Sequence, residues 1–198
     1  MSPRDEVDTT LAEDLHLEAL KQNSKQLTVV HINTQSMIST FDNLLLAVDR
    51  YKFDVITMSE TRLKENHLLL QYVTIPGYTH AFNNRDKKRS GGVEVYIKDS
   101  IKFKRRSGIE KRYPTLEHLW LEIPGCNKHS RLLLGTIYRL ESMVPYSDWI
   151  VTFESLLSDF AIHWDGALLL TGDLNVDLQR PDIPATKKYS DVLKTMSL

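Results

Sequence analysis

The polar and apolar positions of this chain change texture at Leu27. Before it, residues 1–26 are polar and acid-rich, and Leu11, Leu15, Leu17 and Leu20 give one weak amphipathic helical pattern behind a polar tip. After it, short apolar runs alternate with helical patterns. The run 27–32 (LTVVHI) predicts a buried strand, and 53–60 (FDVITMSE) a second. Between them Phe41, Leu44, Leu45 and Val48 recur on one helical face, with Ser39 and Asp42 spaced as a capping box. Gly77 precedes a further strand, and Gly91-Gly92 opens VEVYIK, which alternates like a half-buried strand. The runs 116–123 and 131–138, joined through Pro124-Gly125, predict a hairpin. Ser147 is placed to cap a helix whose face is Trp149, Phe153, Leu156, Leu157 and Phe160. The run 167–173 (ALLLTGD) predicts the next strand, and a last helix is expected over 188–198. No internal repeat or low-complexity tract occurs. Strand–helix–strand units mixed with hairpins predict an α/β protein with mixed sheets.

Length and composition narrow this picture. At 198 residues the chain suits one domain, 27–198, with 1–26 as an extension that is partly helical or disordered. The formal net charge of −1 announces no strongly basic surface, so any nucleic-acid contact has to come from local patches. The single cysteine, Cys126, excludes a disulfide framework and a thiolate zinc cluster. It fits a reducing compartment, and so an intracellular protein, nuclear or cytoplasmic. The N-terminus has no apolar core of the secretory kind, and no apolar run is long enough to span a bilayer. Met37, Met58 and Met143, and Trp120, Trp149 and Trp164, are expected as packing residues.

Candidate chemistry gathers at strand ends. The first strand ends in Asn33, the second in Glu60, and ALLLTG in Asp173 and Asn175. Sites in α/β sheets collect beyond the carboxyl ends of strands. The donors are carboxylate and amide oxygens, which suit a hard cation such as Mg²⁺, or Mn²⁺, held by few protein ligands and several waters. Such a site favours phosphate-ester hydrolysis, in which a carboxylate activates water. Taken singly, each residue has a plainer explanation: Asp173 as a turn or cap residue, Asn33 as the start of a turn, Glu60 as a solvated cap.

Seven stretches, VVHINTQSM, DVITMSETRLK, IPGYT, RSGGVEVYIKDSI, LEHLWLEI, LLLGTIYR and LLLTGDLNVD, stand in an order that resembles the endonuclease/exonuclease/phosphatase superfamily. The likeness is strongest to the apurinic-endonuclease-like domain of LINE-type (non-LTR) retrotransposons. It implies a two-sheet α/β/β/α sandwich. It also implies Glu60 as a carboxylate ligand of Mg²⁺, with Asn33 beside it on the metal or the phosphate. Tyr138 then contacts the scissile phosphate, although a strand tyrosine more often simply packs on its sheet. Asp173 orients or deprotonates the attacking water, and Asn175 bonds the phosphate and helps fix a histidine. The implied reaction is attack of water on a DNA phosphodiester, leaving a 3′ hydroxyl. In such an element the nick primes synthesis by a reverse transcriptase domain of the parent protein. DNA is thus the expected partner, a membrane is not, and the oligomeric state is left open.

The chain also departs from the resemblance. The family continues past this point with further strands and a Ser-Asp-His motif, so the C-terminal strands of the sandwich are expected to be missing. That leaves a second reading, a catalytically inactive remnant. A third is a phosphatase of the same superfamily acting on a lipid or inositol phosphate. Ser190-Asp191 precedes Val192 and is no substitute for the motif. Glu94 shares a strand face with Tyr96, where an unpaired buried carboxylate would cost several kcal/mol. Leu140 follows Tyr138-Arg139 where the family usually has proline, and Gln35 is a further amide near the metal position. His31, two residues before Asn33, is expected to pack in its strand. Two basic clusters, Arg85, Lys87, Lys88 and Arg89, then Lys104, Arg105 and Arg106, are weaker candidates for DNA contacts, since charged hairpin ends are usually just solvated.

Overall fold

The computed structural model describes residues 26–63, 66–83 and 91–196. Its elements, in chain order, are β1 (Val29–Asn33), α1 (Met37–Tyr51), β2 (Val55–Ser59), α2 (His67–Tyr72), β3 (Tyr78–Asn83), β4 (Val93–Lys98), β5 (Lys104–Arg105), α3 (Ser107–Arg112), β6 (Glu117–Ile123), β7 (Leu132–Tyr138), α4 (Tyr146–His163), β8 (Ala167–Asp173) and α5 (Pro184–Thr195). The first sheet has the order β1-β2-β4-β3 and the second β5-β6-β7-β8. Each is mixed: β1 runs parallel to β2 and β7 parallel to β8, while the other neighbours are antiparallel. The two sheets face each other with helices outside, which is the α/β/β/α sandwich. The N-terminal extension, save Gln26, and the cluster Arg85–Arg89 lie outside the described residues. Among the described residues no helix is long and apolar enough to cross a membrane.

Three apolar clusters hold the layers. Val55, Val93, Val95, Ile97, Leu119, Leu121 and Leu134 fill the space between the sheets. Met37, Phe41, Leu44 and Val48 of α1 cover Ile56 and Met58 on the outer face of the first sheet. Trp149, Phe153, Leu156, Leu157 and Phe160 of α4 cover Trp120, Leu133 and Ile137 on the outer face of the second. At roughly 25 cal/mol per Å² of apolar surface removed from water, these clusters supply the main driving force for folding. The strand runs are almost continuously apolar because the middle strands are buried on both faces.

The structure corrects several local expectations. β4 is buried on both faces rather than half-exposed. Glu94 is fully buried, yet it has a partner: His80 Nε2 lies 2.8 Å from its Oε2, and the His80 ring stacks on Tyr96 at 4.3 Å. Helix α1 starts at Met37, so Ser39 is not its cap. The Met37 N–H donates across the fold to the Thr61 carbonyl at 2.8 Å, and the Ser39 hydroxyl bonds back to Ser36 O. Helix α4 starts at Tyr146 behind Pro145, which puts Ser147 inside the helix. Helix α5 begins at Pro184, whose fixed φ suits the first helical position. The six-residue helices α2 and α3 carry no fully buried residue and left no periodic signal in the sequence.

Two consequences are measurable. Gly172 sits at φ 141°, and a Cβ there would overlap the carbonyl oxygen of Ile137 on the neighbouring strand. Gly172→Ala is therefore expected to cost on the order of 2–3 kcal/mol, read as a lowered urea midpoint at unchanged m-value. His118 is fully buried and accepts the Trp120 indole N–H at Nδ1 over 2.8 Å. An indole only donates, so that nitrogen must be unprotonated. Burial pushes the imidazole down from 6.5 to about 4, against opposing contributions from Glu110. The unfolded chain then takes up this proton first. The stabilisation is whole above pH 6.5, is lost as pH falls towards 4, and amounts to on the order of 3 kcal/mol. Urea midpoints measured between pH 7 and pH 5 should fall less steeply in His118→Phe than in the parent; equal slopes would refute the assignment.

Candidate active site

The parallel pairs decide where the strand ends meet. In the first sheet Asn33 is in register with Ser59, the residue before Glu60. In the second, Tyr138 is in register with Asp173. Side chains alternate along a strand, so His31 and Asn33, Thr57 and Ser59, Thr136 and Tyr138, and Thr171 and Asp173 share the face between the sheets with Val55, Leu134 and Leu169. The intersheet layer is aliphatic at one end of the sandwich and polar at the other. The candidate site is the open rim of the polar end.

There the structure brings five sequence-predicted residues together. Asn33 Nδ2 donates to Asp173 Oδ2 at 2.7 Å and to Glu60 Oε1 at 3.3 Å. The Tyr138 hydroxyl donates to the same Glu60 oxygen at 2.9 Å. The Asn175 backbone N–H donates to Asp173 Oδ1 at 2.9 Å, while the Asn175 amide donates to the Arg139 carbonyl at 2.6 Å. Asn33 Oδ1 accepts the Gln35 N–H at 3.2 Å, which closes the first loop. A cleft of about 350 Å³ opens beside Asp173, lined by His31, Asn33, Gly172, Asn175 and Tyr189.

The backbone around this rim is held in sparsely populated conformations. Among the described residues five non-glycines have positive φ, and four of them border the site: Gln35 at 52°, Glu60 at 55°, Arg62 at 51° and Asn175 at 50°. Such residues persist only where surrounding bonds over-determine them, and they cluster at functional sites. The bonds here are visible. Thr61 and Arg62 donate their N–H groups to the carbonyls of Gly92 and Gly91. The buried Arg139 donates to the carbonyls of Leu174 and Asn175 at 3.2 and 3.0 Å, and its guanidinium lies over the Tyr146 and Trp149 rings. The pattern reading of the sequence missed these roles of Arg62 and Arg139. Their one signal was position, each within two residues of the end of a predicted strand.

Charge is arranged with similar economy. Burial, then the hydrogen bond and charge of Glu60, push the Tyr138 hydroxyl well above its ordinary value, so it stays a proton donor near neutral pH. Burial lowers His31, which Asp173 partly offsets; the ring sits below the rim between the hydroxyls of Thr57 and Ser59. Arg62 lies 3.6 Å from Glu60 Oε2. Among the described residues no three Asp, Glu, His or Cys side chains gather to cage an ion. The donor set still fits a hard cation bound through the Glu60 carboxylate and waters, as Mg²⁺ commonly is, with Asn33 turning its Nδ2 to that carboxylate.

The basic candidates Lys104, Arg105 and Arg106 are not brought to this rim. Lys104 pairs with Glu122, which faces Leu133 on β7, five residues or roughly 17 Å before Tyr138. Arg105 and Arg106 are engaged with Glu110 and Glu122 at 2.8 and 3.2 Å. A cavity of about 500 Å³ lies beside them, against Phe160 and Trp164, well away from Asp173.

No protein-family model matches the chain, and no curated protein matches it in sequence. Solved structures do match. An AP endonuclease from Leishmania major aligns with TM-score 0.66 at 14% identity, covering 85% of this chain and 65% of its own. The endonuclease domain of TRAS1, a telomere-specific non-LTR retrotransposon, aligns with TM-score 0.64 at 9% identity, covering 86% and 71%. An AP endonuclease from Archaeoglobus fulgidus aligns with TM-score 0.58 at 17% identity, again covering 86% and 71%. The chain thus spans about two thirds of the length of these structures. Together with the strand order, these likenesses show that the chain has the fold of these endonucleases.

Proposed function

We propose that this chain is the phosphodiester-hydrolysing portion of a DNA endonuclease of a non-LTR retrotransposon, acting with Mg²⁺ or Mn²⁺. The observation that carries the reading is the Asn33 amide bridging Glu60 and Asp173, with Tyr138 on the same Glu60 oxygen. Structures of similar fold include the TRAS1 endonuclease domain and a 3′ phosphatase from Neisseria bound to a product DNA hairpin, aligned with TM-score 0.59 at 14% identity. The ordered stretches around SETRLK, GGVEVYIKDS and GDLN support the retroelement setting, in which a reverse transcriptase domain would use the nick.

In this reading Glu60 would hold the cation, with Asn33 beside it on the phosphate or a metal-bound water, and the cation's charge would offset the negative charge building on the phosphate. Asp173 orients a water and takes its proton as the water oxygen bonds to phosphorus. The bond from phosphorus to the 3′ oxygen breaks on the opposite side, and that oxygen leaves as a hydroxyl with a proton from solvent. Tyr138, kept protonated, is placed to donate to a phosphate oxygen. Asn175, fixed by Arg139, braces Asp173 through its backbone N–H.

Supercoiled-plasmid nicking in Mg²⁺ by the purified chain checks this. Asp173→Ala should lower the rate about 10²–10⁴-fold, the usual worth of a general base. Tyr138→Phe should cost roughly 10–100-fold, the value of a hydrogen bond to a charged group. EDTA should abolish nicking. Nicking that survives Asp173→Ala would remove Asp173 from the chemistry. Hydrolysis of an inositol phosphate with DNA left intact would transfer the same site to the phosphatase reading.

A further inference from the structure

Among the described residues the open rim holds two carboxylates, Glu60 and Asp173, with the buried Glu117 behind them in register with Tyr138. Among the described residues Arg62 is the one Lys or Arg that forms an ion pair with either. A phosphodiester is an anion, and the excess of negative charge that these described residues give the rim repels it until positive charge arrives. Arg62 is built for such a task. Its backbone is rigid: φ is 51°, and its N–H donates to Gly91 O at 2.7 Å. Its side chain is 48% exposed, and its guanidinium stands 3.6 Å from Glu60 Oε2, beyond hydrogen-bond distance. The other Glu60 oxygen already accepts from Tyr138 and Asn33, so Oε2 is where a cation and Arg62 compete.

Resting on the reading above, we propose that Arg62 is a substrate-phosphate-binding residue that occupies Glu60 until a divalent cation displaces it. Without the cation, Arg62 neutralises Oε2. When the cation takes that oxygen, the guanidinium is released beside it and presents its fork of N–H donors to a phosphate oxygen of the DNA. The two positive charges then reach the rim together, and the substrate meets them only after the cation is in place.

The test uses Arg62→Gln and Arg62→Lys, which burden the left-handed backbone alike and differ in charge. Cation affinity is titrated calorimetrically with Mn²⁺ on the parent and both variants, with Glu60→Gln as the control for the site. DNA affinity is measured by anisotropy on a short duplex in an Asp173→Asn background across a salt series. Arg62→Gln should tighten Mn²⁺ by about two- to fivefold by removing its competitor. It should also weaken DNA about tenfold at low salt. The slope of log affinity against log salt should shrink by about 0.9. Arg62→Lys should keep the parent slope. If Glu60→Gln abolishes Mn²⁺ binding while Arg62→Gln leaves both Mn²⁺ affinity and salt slope at parent values, the Arg62 inference is overturned and the site reading stands. If Mn²⁺ binding by the parent does not depend on Glu60, both fall.

Discussion

The two sheets of this protein are tied at one end by an amide. Asn33 reaches 140 positions along the chain to Asp173 and also touches Glu60. Its Nδ2 group carries two hydrogens, and each is given to a different carboxylate. Without that bridge two like charges would face each other across the mouth of the sandwich, and their repulsion would push the two strand ends apart. With it, the two carboxylates are held apart and oriented. The remaining features of the rim can be understood as support for this amide.

Support comes first from strand direction. A parallel pair lies at corresponding places in both sheets, β1 with β2 and β7 with β8, so four carboxyl ends share one rim. Register then sets which atoms arrive there. A slip of one residue in β8 would turn Asp173 away from the intersheet face and bring Gly172 to it. Gly172 resists this because its backbone passes too close to Ile137 for any side chain. The aliphatic layer of Val55, Val95, Leu119 and Leu134 fixes the spacing of the sheets, and the hydroxyls of Thr57 and Ser59 hold His31 beneath the rim.

Much of this was legible in the sequence, for a physical reason. Strands buried on both faces must be apolar runs, and a polar residue directly after such a run has nowhere to sit but the rim. Asn33, Glu60, Asp173 and Asn175 could therefore be picked out by position, whereas Tyr138 stood out only through the resemblance to the superfamily. What could not be read were interactions between distant segments. Ser39 looked like a cap, but Thr61 O satisfies the first N–H of α1 across the fold. Glu94 looked like an uncompensated charge because its partner His80 lies on the neighbouring strand, fourteen residues away. Lys104, Arg105 and Arg106 looked like a DNA-facing patch because a sequence does not show that Glu110 and Glu122 answer two of them. Arg139 is charged by type yet buried, which the carbonyls of Leu174 and Asn175 and the rings of Tyr146 and Trp149 make tolerable.

The left-handed residues link stability to the site. Glu60, Arg62 and Asn175 each adopt a backbone that ordinary side chains disfavour, at a cost of order 1–3 kcal/mol apiece. That cost is met by fixed partners: Gly91 and Gly92 carbonyls for the turn after β2, and Arg139 for the turn after β8. A strained turn that is over-determined in this way has one geometry, whereas a relaxed turn has several. Glu60 therefore leaves its strand at a fixed angle towards Tyr138, and Asp173 is braced from behind by the Asn175 N–H. Arg62 shares the rigid turn but not the anchoring of the side chain. Among the described residues, the one cation paired with the rim's carboxylates is thus placed beside Glu60 Oε2, the oxygen that Tyr138 and Asn33 leave open.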